Sequence, residues 1–179
     1  MEAVYTESRQ HSVYSRLSED PGGENEVILF KSCFPNSELK GGEGDRIPSI
    51  EDNPLKGENW NSAYHTTANA KGIYNALLDY FKTRQDKLFI AITAPPVTNG
   101  ENAESARAFN NWLTREWLKD YKYRNVGVFD FYDLLTGGKG NILIYPSADG
   151  DDHPSRQGNL KATAEFIPVL NEYYNRFKV

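Results

Sequence analysis

The chain reads as an α/β protein, a three-layer α/β/α sandwich with a mainly parallel sheet, on three observations. Short unbroken apolar runs recur at Val27–Phe30, Leu88–Ile92 and Val126–Tyr132, which is how strands covered on both faces of a parallel sheet look. The stretches between and after them carry helical periodicity instead. The resulting order, strand, helix, strand, helix, strand, helix, is that of a doubly covered parallel sheet.

With 179 residues, 39% apolar, 25% charged and 13% aromatic, the chain suits one soluble domain spanning 1–179, with 1–25 as an N-terminal segment. A net charge of −5 with no Lys/Arg cluster argues against a nucleic-acid partner, since neutralising phosphates needs a basic face. No apolar run reaches the ~20 residues of a membrane span, and the N-terminus lacks the basic-then-apolar pattern of a signal peptide. The compartment is not legible. One cysteine, Cys33, excludes an internal disulfide and a multi-cysteine zinc site.

In chain order, Val4, Val13, Tyr14 and Leu17 give weak helical spacing over 5–17. Asp20-Pro21-Gly22-Gly23 is a turn that delivers the chain into the first strand. The strand opens into a loop with Ser32, Cys33, Asn36 and Ser37, at the carboxyl edge where open α/β sheets bind ligands. Residues 41–61, rich in Gly, Asp, Asn and Pro, read as a surface excursion able to wall a substrate pocket. Ala70, Ile73, Tyr74, Leu77, Leu78 and Phe81 fall on one helical stripe. Lys87–Thr93 is the second strand, stopped by Ala94-Pro95-Pro96 because proline cannot continue a ladder.

Ala106, Phe109, Leu113 and Trp117 mark a helix over 103–120, followed by the third strand. Gly137-Gly138-Lys139-Gly140 lacks the spacing of a phosphate loop and reads as a flexible turn, which disfavours a nucleotide binder. The last helix starts after His153-Pro154-Ser155 and continues through Leu160, Ala164 and Ile167, with Pro168 expected to kink or restart it.

Of three histidines, His11 and His65 sit in polar surroundings and read as surface or helix-cap residues. His153 differs, because Asp149, Asp151 and Asp152 crowd the turn before a helix. Carboxylates there suit the helix dipole. They also suit a general base whose ring an aspartate orients. The strand-end loop supplies nucleophile candidates in Ser32, Cys33 and Ser37, and Asn36 as an oxyanion donor. Scattered histidines give no metal-ligand spacing, and no organic cofactor is implied.

Taken together, a strand followed by a polar loop with Asn36, then a strand ending in Ala94-Pro95-Pro96, and finally Asp-x-His153-Pro154 before the last helix, resemble the SGNH (GDSL-type) hydrolases over residues 26–177. The resemblance implies a flavodoxin-like sheet, no cofactor, and hydrolysis of carboxylic esters through a Ser-His-Asp arrangement. On it, His153 is the base, Asp151 in preference to Asp149 its support, Asn36 an oxyanion group and Ser32 the candidate nucleophile. Alternatively the family's first strand and serine are missing. The chain is then inactive or completed by another chain, a carbohydrate- or partner-binding module. Strand edges left open in that way invite a homodimer.

Overall fold

The computed structural model describes residues 24–179 apart from residue 43. The expected helix over 5–17 and His11 lie outside the described residues. The chain is α/β. Strands β1 (Val27–Phe30), β2 (Leu88–Ile92) and β3 (Val126–Phe129) form one sheet in the order β1-β2-β3. Both pairings are parallel, with Val27 opposite Leu88 and Phe89 opposite Val126. Helix α1 (Thr67–Phe81) links β1 to β2 and α2 (Ala103–Arg115) links β2 to β3. The short α3 (Phe131–Thr136) and the long α4 (Arg156–Lys178) complete the order.

Because strand side chains alternate, the register sorts the apolar residues into two clusters on opposite faces. Ile28, Phe89, Ala91 and Val126 pack with Tyr74 and Phe81 of α1 and with Phe109 and Leu113 of α2. Phe81 and Phe89 stack with centroids 4.0 Å apart. On the other face, Leu88, Ile90 and Phe129 meet Phe166, Leu170 and Tyr173 of α4. That face admits α4 closely because β3 carries Gly127, where a Cβ would lie 2.6 Å from the Tyr173 ring.

Local chemistry sets the boundaries. Thr66 caps α1 by accepting from the Asn69 N–H, and Ser155 caps α4 by accepting from the Gly158 N–H. The third strand stops at Phe129, three residues short of the expected Tyr132. Asp130 accepts from the Asp133 N–H and starts α3 instead. Helix α2 ends at Arg115 rather than 120, yet Trp117 is still buried and its indole donates to the Tyr74 carbonyl at 3.1 Å. Gly137–Gly140 is a turn as expected, and Arg107 bonds Asp133 and Thr136 before it and the Gly140 carbonyl at its end.

Three further expectations change. Helix α4 does not restart at Pro168 but continues through it as one helix. Leu160 and Ile167 are exposed, and its buried side uses Gly158, Ala162 and Phe166 instead. Strand β1 is not covered on both faces. Among the described residues it is the edge of the sheet, with Leu29 46% exposed.

Candidate active site

Parallel strands place all three carboxyl ends at one edge, where the 31–38 loop, the loop after β2 and the His153 turn meet. The 31–38 loop follows β1 as a single 3₁₀ turn, Phe34–Ser37, with Pro35 in its first turn. The Ser37 hydroxyl donates to the Pro95 carbonyl in the loop after β2. Beyond that loop, Asp152 accepts from the Thr98 N–H and hydroxyl at 2.6 and 2.7 Å. The His153 turn is therefore fastened to the β2 loop.

Within this turn, Gly150 takes φ +72°, a left-handed conformation that glycine adopts without steric cost. The chain then folds back so that the His153 N–H and the His153 ring Nδ1 both reach Asp151 Oδ1, at 2.9 and 2.7 Å. A carboxylate only accepts, so Nδ1 donates and Nε2 is the ring nitrogen that Asp151 does not engage. Hydrogen bonds from Ser147 and then His153 hold the Asp151 carboxyl down to about pKa 2. Asp149 is exposed. The His153 side chain is 74% exposed, and its ring meets Phe34 edge-on with centroids 5.4 Å apart.

Ser32 and Asn36 are placed differently. Both line a cleft of about 620 Å³ between the end of β1, α1 and residues 55–60. Asn36 is only 4% exposed, and its Oδ1 lies 3.2 Å from Nε2 of His65. An amide oxygen accepts, so His65 carries its proton on Nε2. Burial lowers the His65 pKa and raises that of Tyr74 beside it to about 12, against the opposing pull of the Ser32 backbone and the Asn36 side chain. His65 is thus a buried partner of Asn36, not a surface histidine. Its local sequence is polar, and burial comes from the 3₁₀ turn closing over it, so no periodicity could have marked it.

The four candidates divide into two pairs on one loop system. His153 and Asp151 bond each other, Ser32 and Asn36 share the cleft, and no hydrogen bond joins Ser32 to His153. Ser37, buried and bonded to Pro95, is withdrawn as a nucleophile candidate. Cys33 is a free, half-buried thiol. Among the described residues no group of three or more His, Cys, Asp or Glu could hold a metal ion, and no helix is long and apolar enough to cross a membrane.

No family model, no curated protein and no solved structure matches the chain.

Proposed function

We propose that the chain is an SGNH-type hydrolase that cleaves carboxylic esters by acyl transfer. The observation that carries this reading is the His153 Nδ1 to Asp151 Oδ1 contact at 2.7 Å, with the rest of the ring open to solvent at the carboxyl edge of a parallel sheet. On this reading Ser32 Oγ attacks the ester carbonyl carbon and its proton passes to His153 Nε2. The C–O bond to the alcohol then breaks and the alcohol leaves with that proton. Water, deprotonated by the same nitrogen, releases the acid and restores Ser32. Asp151 supports the imidazolium that forms in each half. Asn36 and loop amides stabilise the oxyanion. Substrate binding must draw the Ser32 loop onto His153, a tightening that active sites commonly undergo.

A second reading has its own observation. The outer edge of β1 has no partner strand among the described residues and Leu29 stands exposed on it, as in a chain that pairs with another and binds rather than cleaves. A screen of short and medium p-nitrophenyl esters, with fluorophosphonate labelling and peptide mapping, separates the two. Turnover with an adduct on Ser32 supports the hydrolase. Neither turnover nor adduct, with a dimer in sedimentation, supports the binding module.

A further inference from the structure

We propose that the cleft beside β1 binds the unbranched acyl chain of the ester, in the octanoyl to decanoyl range. This inference rests on the hydrolase reading for the chain's being part of a substrate, and on the cleft itself for its chemistry. Four features carry it. The volume, about 620 Å³, lies within the ~300–1,000 Å³ of ordinary small-molecule sites.

The long wall is apolar. Phe30, Ala70, Ile73 and Leu77 run along it, and Leu55 and Trp60 face them from the other side. Ala70 to Leu77 is two helical turns, about 10 Å at ~1.5 Å per residue, the reach of an extended medium chain. That opposite wall is built in place: Asn53, itself buried, donates to the Asn69 carbonyl on α1 at 2.8 Å and accepts from the Leu55 N–H at 3.0 Å.

The polar groups decide between an acyl chain and a sugar. His65 and Asn36 satisfy each other, and no buried side-chain nitrogen or oxygen is unpartnered among the described residues. A sugar's hydroxyls would gain nothing from the apolar stretch of Phe30, Leu55, Ala70, Ile73 and Leu77, while an apolar chain buries itself against it without needing a hydrogen-bond partner. The lining also carries polar groups. Ser32 and Asn36 are among them for the carbonyl end, and Lys31 and Lys56 against Glu58 leave one excess positive charge for a carboxylate. Trp60, 67% exposed, has its ring free to cover a chain.

Calorimetric titration of the full chain with hexanoate, octanoate, decanoate and cellobiose tests this without requiring turnover. Decanoate should bind, each two-carbon step should tighten binding about tenfold, and cellobiose should give no heat. Leu77→Trp, which fills the cleft, should weaken decanoate at least ~10-fold. Trp60→Ala, at an exposed position that cannot cost the fold, should weaken it by about threefold or more. No decanoate binding, binding untouched by Trp60→Ala, a preference for cellobiose, or a dimer that closes the cleft would each overturn the proposal. Decanoate binding without hydrolysis of its p-nitrophenyl ester would sink the hydrolase reading and leave the cleft as a carboxylate site. Hydrolysis indifferent to chain length, with no decanoate binding, would do the reverse.

Discussion

At the scale of residues, exposure decides what each histidine can report. His153 packs only edge-on against Phe34 and is largely in solvent. His153→Ala is therefore expected to leave the melting temperature within a degree or two while lowering ester hydrolysis ~10²-fold or more; activity within twofold of wild type would refute its role as base. His65 gives the opposite signature. Its folded-state pKa is depressed by burial below the ordinary 6.5, so below pH 6.5 the unfolded chain binds a proton that the folded chain refuses. Stability is then intact above about 6.5, falls as the pH drops below it, and stops falling once the lowered folded value is passed. Urea unfolding at pH 7 and pH 5 should show this loss, and His65→Gln should flatten the slope between those two values.

At the scale of elements, β3 and α4 depend on one missing side chain. The Cβ introduced by Gly127→Ala would press on Tyr173, whose hydroxyl also donates to the Val128 carbonyl at 3.0 Å. The ring has sheet on one side and cannot simply withdraw. A cost of about 1–3 kcal/mol is expected in urea unfolding, and an unchanged midpoint would show that α4 shifts freely. On the opposite face, Phe81→Ala removes the ring stacked on Phe89 inside a fully buried cluster, with an expected loss of about 3–5 kcal/mol. Gly127→Ala lies far from the His153 turn in its contacts, and activity per folded molecule should survive it; Phe81 also packs on Phe30 of the cleft wall, with ring centroids 5.5 Å apart.

At the scale of the whole molecule, three parallel strands leave an asymmetric sheet. β3 is flanked by α4, whose Tyr173 and Arg176 donate to the Val128 and Val126 carbonyls, whereas among the described residues β1 presents an open ladder edge with Leu29 on it. A parallel sheet is ordinarily covered on both sides, and an apolar edge favours pairing with another chain. Sedimentation over a range of concentrations is expected to show self-association that Leu29→Lys abolishes without lowering the melting temperature. A concentration-independent monomer for the wild type would show that the edge is not used between copies.

What the sequence determined by itself was what depends on neighbours along the chain. The β-branched and aromatic runs became strands, the 70–81 stripe became the buried side of α1, and Ser155 started α4 where the His153 turn ends. The Asp151–His153 pair belongs here too, because two residues on one tight turn cannot stray far apart. Contacts between distant segments were decided only by the tertiary structure. Local chemistry does not say that β1 lies at an edge, that His65 is drawn under Asn36 from 29 positions away, or that Asp152 fastens to Thr98 across 54. Nor does it say which side of α4 is buried, since Leu160 and Ile167 are as apolar as Phe166 and only the position of the sheet chooses between them. Short-range hydrogen bonding and periodicity are written in the order of residues. Burial is a property of the assembled surface, and it alone separated the Ser32 and Asn36 cleft from the exposed His153.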